Sequence, residues 1–219
     1  VNVFIIHAHP EEKSFSTTLK NIAVEYFNEQ GNEVVVSDLY AMKFNPVGGS
    51  NDFEELSNKE FFKYQLEQVN AFNNNLFTHE VKQEMEKFLK ADLVILNFPL
   101  WWFSVPAILK GWVDRIFAMG FAYGAGKGVY DSGAFKNKKA FCCLTTGGPE
   151  AAYGSNGKNG NLETILYHIN HGMLYFVGMQ TLPPFVGFSP ARKTDEERNE
   201  VIEKYKLYLK NIGNHQPIF

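Results

Sequence analysis

Cysteine is scarce in this chain: Cys142 and Cys143 are the only two, and they stand side by side. They fall in an apolar run that reads as a strand. Successive strand side chains point to opposite faces, so a bond between the two sulfurs is geometrically poor. Two buried thiols without partners fit a reducing compartment, and a cytoplasmic location is expected. Long apolar runs are missing as well. The longest apolar region is broken by Asn97, Pro99, Ser104 and Pro106, so no segment spans a bilayer. The opening Val1 to Ile6 lacks the basic flank of a signal peptide and runs straight into a strand. There is no dense basic run either, and a net charge of -3 argues against nucleic acid as a partner.

Several signatures of known chemistry are also absent. There is no glycine-rich dinucleotide loop, no Walker sequence and no Gly-x-Ser-x-Gly elbow. The histidines at 7, 9, 79, 168, 171 and 215 lack metal-ligand spacing, apart from His168 and His171 at i, i+3. That pair has no carboxylate or Cys partners nearby, so no metal is expected.

What the chain does have is alternation. Apolar strands are expected at Val3 to Ile6, Val34 to Val36, Leu93 to Leu96, Ala140 to Leu144 and Leu174 to Met179. Between them run helical periods. Leu19, Ile22, Ala23, Tyr26 and Phe27 mark the first, with Gly31 at its end, and Val81, Met85, Phe88 and Leu89 mark the second. A third starts near Val105, with Ser104 as N-cap and Pro106 in the first turn. A fourth lies around Leu162 to Asn170. The last opens on the capping box Thr194-Asp-Glu-Glu197. Such alternation implies one α/β domain over 1–219, with a five-stranded parallel sheet and helices on both faces. The segment at about 39–77 is irregular and long for a connection, which makes it a lid, an interface or a mobile excursion.

Three loops at carboxyl ends of strands could carry chemistry. The first, His7-Ala-His9-Pro-Glu-Glu-Lys-Ser14-Phe15-Ser16-Thr-Thr18, is rich in hydroxyls and runs into a helix. Free amides and the helix dipole make that a suitable anion cradle, or simply a capped helix with Ser14 or Ser16 as N-cap. His9 is the better ligand candidate, since His7 reads as a core residue. The second, Phe98-Pro99-Leu100-Trp101-Trp102-Phe103, is a bulky aromatic loop where an open α/β sheet binds ligands. The third, Thr145-Thr146-Gly147-Gly148-Pro149, allows close backbone approach. Tyr153, Gly154, Gly157, Asn159 and Gly160 follow it. Aromatic residues make up 15% of the chain, enough to leave some for a planar ligand.

Three of these stretches resemble the NAD(P)H:quinone oxidoreductase family, the DT-diaphorase type of flavodoxin-like flavoprotein. They are Asp38-Leu-Tyr-Ala-Met-Lys-Phe-Asn-Pro46, Phe98 to Trp112, and Thr145-Thr-Gly-Gly148. The likeness runs from the first strand to about Phe188 and loosens over the final helix. The resemblance implies a homodimer that binds FAD, or FMN, and uses NAD(P)H to reduce quinones by a ping-pong mechanism. His9, Ser14, Phe15 and Ser16 would then hold the flavin's phosphate groups. Pro99, Leu100, Trp101, Trp102 and Phe103 would line the isoalloxazine edge bearing N5, with the amides of Trp102 and Phe103 donating to it. Thr145, Thr146, Gly147 and Gly148 would approach the ribityl chain and pyrimidine side. Tyr153 and Asn159 would stabilise charge near O2. Trp102, Phe103, Tyr123, Gly147, Gly148 and Phe176 would shape the substrate pocket, Phe176 reaching across the dimer.

Two departures stand out. Where the DT-diaphorase type places a histidine opposite the flavin O2, this chain has Asn159, whose amide exchanges no proton at neutral pH. Ala125 replaces a second pocket tyrosine. Other readings of the same residues are a flavodoxin-style electron carrier and a flavin-binding regulatory subunit of a membrane ion-transport system. The first fits poorly with so small a net charge.

Overall fold

The computed structural model describes residues 1–219. Six strands and six helices follow one another, first β1 (Asn2–His7), α1 (Phe15–Glu29), β2 (Glu33–Asp38), α2 (Tyr64–Asn74), α3 (His79–Lys90) and β3 (Leu93–Pro99). Then follow α4 (Ala107–Ile116), β4 (Lys139–Thr146), α5 (Leu162–Ile169), β5 (Gln180–Thr181), β6 (Phe185–Phe188) and α6 (Asp195–Lys210). Every pairing is parallel, in the order β2-β1-β3-β4-β5, with β6 also on β4. β3 is buried along its whole length, as a central strand covered on both faces must be. No helix is long and apolar enough to cross a membrane.

The fifth strand position departs from the sequence expectation. Leu174 to Met179 is not a strand: a π-helical turn, Asn170–Tyr175, extends α5 into that run. Gly178, at φ +96°, turns the chain out of it. A short run with Met173, Leu174, Val177 and Met179 all buried has no period that separates strand from helix. The strand itself lies later and in two pieces. β5 pairs with Lys139 and Ala140 of β4, and β6 pairs with Cys143 to Thr146. Pro183 and Pro184, which have no N–H to give a ladder, fall between the pieces.

The sheet divides two cores. A larger one lies against α3, α4 and α5, and a smaller one against α1 and α6. Cys142 belongs to the first and Cys143 to the second, so the adjacent thiols are on opposite faces. The capping box of α6 forms in both directions between Thr194 and Glu197.

The segment at about 39–77 is more ordered than its sequence reads. It contains α2 and a 3-10 turn at Ser50–Asp52, and it is pinned from beneath. Arg115, on α4, donates through Nε to Asp52 Oδ1 at 2.6 Å. Its Nη1 donates to Glu80 Oε2 at 2.5 Å and to the Asn45 carbonyl at 2.6 Å. Tyr64 completes the group by donating to Asp52 Oδ2 at 2.5 Å. Gly111 of α4 packs directly on Pro46: a Cβ there would sit 2.1 Å from the Pro46 carbonyl oxygen. These contacts fix the start of the segment beside α4, the helix that follows the aromatic loop.

Candidate functional site

In an open α/β sheet the ligand crevice forms where neighbouring strands send their connections to opposite faces. Here that point lies between β1 and β3, and their following loops meet the loop after β4. Ser14 is the N-cap of α1, its Oγ accepting from Thr17 N at 3.1 Å. The amides of Phe15 and Ser16, at the first two helical positions, have no acceptor in the chain. Ser16 Oγ lies 2.8 Å from Thr145 Oγ1, which joins the first loop to the third. The Leu100 amide donates to the Thr145 carbonyl at 2.8 Å and joins the second loop to the third. His9 Nδ1 accepts from Glu11 N at 3.0 Å, and the His9 ring stands 6.3 Å from that of Trp101.

The aromatic loop is a two-residue turn. Trp101 N donates to the Ser104 carbonyl at 3.1 Å, and Ser104 N donates back to the Trp101 carbonyl at 3.0 Å. The residues between, Trp102 and Phe103, have φ of 50° and 60°, so both are left-handed. Turns of this hand favour Asn-Gly, because a side chain at positive φ is strained. Two bulky aromatics in such positions mark stored strain, and strain of this kind collects at ligand sites. Their amides donate to nothing in the chain. Trp102 itself is 95% exposed.

Ser104 is not the N-cap expected of it; Pro106 precedes the first residue of α4. The Ser104 hydroxyl instead pairs with His168 Nε2 at 2.9 Å, while His168 Nδ1 lies 2.8 Å from the Ile165 carbonyl. A carbonyl only accepts, so Nδ1 donates to it, and in the neutral ring Ser104 donates to Nε2. That bond ties the turn to α5.

After β4, Thr146 Oγ1 donates to the Gly148 carbonyl at 2.8 Å, and the amides of Gly147 and Gly148 are free. A Cβ on Gly148 would lie 3.1 Å from Asn159 Nδ2 and 3.3 Å from the Tyr153 hydroxyl, so these three residues are neighbours. Beside Gly147 a Cβ would meet nothing. Tyr123 and Phe176 stand apart. Their rings pack on each other at 5.7 Å, and Phe176 packs on Tyr130, with no ring contact to Trp101, Trp102, Phe103 or Tyr153.

Sequence reasoning missed two cations. A cavity of about 540 Å³ at the N-terminus of α1 is lined by Ser14, Phe15, Ser16 and Thr145 and also by Lys13 and Arg198. Arg198 is held by the carbonyls of Pro190 and Lys193 and by Asp195. It lies in α6, so no local pattern connects it to the first loop. Backbone amides, hydroxyls and two cations around one cavity suit a phosphate. The free amides of Trp102, Phe103, Gly147 and Gly148 suit the acceptor-rich edge of a planar ring. The donor set therefore fits a flavin.

Comparison with known proteins places the chain in a family. A family model described as the flavodoxin-like fold matches residues 1–211. Ribosyldihydronicotinamide dehydrogenase (quinone) of Rattus norvegicus is 43% identical over 217 residues, covering 99% of this chain and 94% of the relative. NAD(P)H dehydrogenase (quinone) 1 of Cavia porcellus is 41% identical, covering 98% of this chain and 78% of the relative. Among solved structures, a Klebsiella pneumoniae protein superposes with a TM-score of 0.95 at 38% identity, over 99% of this chain and 86% of that one.

Proposed function

The chain belongs to the flavodoxin-like family, among its quinone dehydrogenases, and on that premise we propose that it passes hydride from NAD(P)H to quinones through a bound flavin. The observation that carries this reading is the strained Trp101–Ser104 turn, which presents two free amides at the carboxyl end of β3. When bound, the flavin would supply the two-electron redox chemistry that links the nicotinamide to the acceptor, the two using one place in turn.

The chain's residues bind, orient and stabilise. Phe15 and Ser16 amides, the hydroxyls of Ser14 and Ser16, and His9, Lys13 and Arg198 hold the phosphate end. Pro99, Leu100 and Trp101 shape the ring's edge, and the amides of Trp102 and Phe103 donate to its N5 side. Thr145, Thr146, Gly147 and Gly148 take the ribityl chain and pyrimidine side. Tyr153 and Asn159 donate where negative charge gathers near O2. Fixed donors need no reorganisation, so they favour the charged state. Asn159 supplies a dipole and no proton.

FAD is the proposed cofactor, with FMN the alternative. Trp102, Phe103, Tyr123, Gly147, Gly148 and Phe176 form the proposed substrate pocket, with Phe176 contributed across a homodimer. The absence of ring contact between the Tyr123–Phe176 pair and the loop aromatics supports that assembly, and the two buried free thiols support a cytoplasmic setting.

One shared place for two substrates requires ping-pong kinetics. Initial rates with quinone varied at several NADPH concentrations are expected to give parallel double-reciprocal lines; intersecting lines contradict the scheme. A pair of variants tests the third loop. A Cβ at Gly147 meets no protein atom, so the flavin-free stability of Gly147→Val should stay within about 0.5 kcal/mol of wild type. Flavin affinity should fall by about tenfold or more, roughly 1.4 kcal/mol. Gly148→Val drives into Tyr153 and Asn159 and should lower both. Equal flavin affinity in Gly147→Val and wild type would remove that loop from the site.

A further inference from the structure

His7 is a buried titratable ring to which the proposed chemistry gives no role. It ends β1, 1% exposed, behind the N-terminus of α1. Its Nδ1 is 2.5 Å from Asn97 Oδ1, and its Nε2 is 3.2 Å from Thr17 Oγ1. Thr17 Oγ1 in turn lies 2.9 Å from Ser14 Oγ. An unbroken row of hydrogen-bonding groups thus runs from Asn97 through His7 and Thr17 to Ser14, the cap of the helix that faces the phosphate cavity.

The row has a direction. Asn97 Nδ2 donates to the Cys143 carbonyl at 3.4 Å, which turns Oδ1 toward the ring. That oxygen only accepts, so Nδ1 carries the proton and the Nε2 of a neutral ring is an acceptor. Nε2 is satisfied when Thr17 donates to it and Ser14 donates to Thr17. An anion at the helix N-terminus draws the Ser14 hydroxyl proton outward instead. Ser14 Oγ then no longer donates to Thr17 and competes for the Thr17 proton, as does the Glu11 carbonyl, to which Thr17 Oγ1 donates at 3.0 Å. With its single proton used on either, Thr17 no longer supplies Nε2, and a buried acceptor is left without a donor. A proton on Nε2 removes the conflict, because His7, Thr17 and Ser14 then each donate toward the anion.

We propose that His7 takes up a proton when a phosphate group binds at the N-terminus of α1, reversing the row and backing the anion with a buried positive charge. The inference rests on the flavin-phosphate reading of that cavity. His7 acts as a positioning residue, setting the Ser14 hydroxyl without touching the ligand.

The surrounding charges are few. Asp38, its register partner on β2, favours the charged ring, whereas Lys20 on α1 and His9 in the following loop oppose it. β3 presents Asn97, which is uncharged, and next to it on β4 is the buried Cys143 thiol. Burial is the largest influence, and in the chain alone it holds His7 below the usual histidine range. A bound anion raises it. The ring therefore binds more protons in the complex than in the free chain, and anion affinity falls as pH rises through the interval between the two values.

Calorimetric titration of flavin-free protein with FAD, in buffers of different ionisation enthalpy near pH 7, tests this. The FAD pyrophosphate has no proton to exchange there, unlike a phosphate monoester, whose second pKa is about 6. The expected result is uptake of about one proton per FAD, affinity that drops by up to about tenfold per pH unit within that interval, and no uptake in His7→Gln. Imidazole nitrogen NMR of wild type, which needs no variant, should show Nε2 protonated only in the complex. No uptake, or equal uptake in wild type and His7→Gln, overturns the proposal. If FAD does not bind but inorganic pyrophosphate does, the flavin reading fails. The wild-type minus His7→Gln difference with pyrophosphate then decides the relay. Binding of neither overturns both.

Discussion

Replacing Trp102 by Asn and Phe103 by Gly together is expected to make the protein more stable and a worse enzyme. The turn puts both residues at positive φ, 50° and 60°, a conformation that costs of order 1–3 kcal/mol for each side chain that must adopt it. Asn-Gly is the pair this turn prefers, so most of that cost disappears. Little burial is lost in return: Trp102 is 95% exposed and Phe103 47%. A stability gain of about 1–3 kcal/mol should appear in urea unfolding of the flavin-free chain. The two amides survive the change, so flavin should remain bound. The aromatic walls do not survive. Each ring stacked on a planar substrate contributes about 0.5–1.5 kcal/mol beyond its area, so kcat/KM for quinone should fall about 5- to 150-fold. A variant that is both less stable and fully active would mean that the strain serves packing and not substrate.

Arg115→Met should be the most destabilising single substitution outside the hydrophobic cores. Arg115 is 3% exposed and Asp52 1%. Removing one partner of a buried ion pair leaves an uncompensated charge, at a cost of about 3–5 kcal/mol. Here the loss spreads, because Tyr64, the Gly49 amide and the Asn45 carbonyl are organised around the same two groups. The guanidinium also lies 4.7 Å from the Phe44 ring centre. Arg115→Lys should not rescue it, since one ammonium does not reproduce the fork to Asp52, Glu80 and Asn45. Urea unfolding of Arg115→Met, Asp52→Leu and the double variant separates the terms. The double variant is expected to be more stable than Arg115→Met alone, because no charge is left buried. A loss below about 1 kcal/mol in Arg115→Met would show that residues 39–77 are held by apolar contact instead.

The fold was legible where side-chain period and backbone agree. The buried run of β3, the amphipathic α1 and α3 and the Thr194–Glu197 box are all local signals. α2 was not, and the reason is its inverted pattern. It buries Glu67, Gln68 and Ala71 while Leu66 and Phe72 face outward. Glu67 is buried because it accepts from Ser57 and Asn58, contacts that no periodicity reveals. The fifth strand failed for the opposite reason, being an apolar run with too many buried positions to show a period. Ser104 was misread because a Ser before a helix looks like a cap whether or not its hydroxyl is used elsewhere. The three loops could be found one by one from their residues. Their union follows from their shared place at strand carboxyl ends and from the family resemblance, but the bonds that make it, such as Ser16 to Thr145, join residues far apart in the chain and leave no local pattern. Arg198 and the His7 row are hidden for the same reason.

The crevice formed by the loops after β1, β3 and β4 is the centre of this account, and acid extraction of the purified protein tests it most directly. The extract should contain one flavin per chain, with the mass of FAD, and the stripped chain should rebind FAD with a fluorescence change that Gly147→Val weakens. A protein that carries no flavin and binds neither FAD nor FMN would contradict the account.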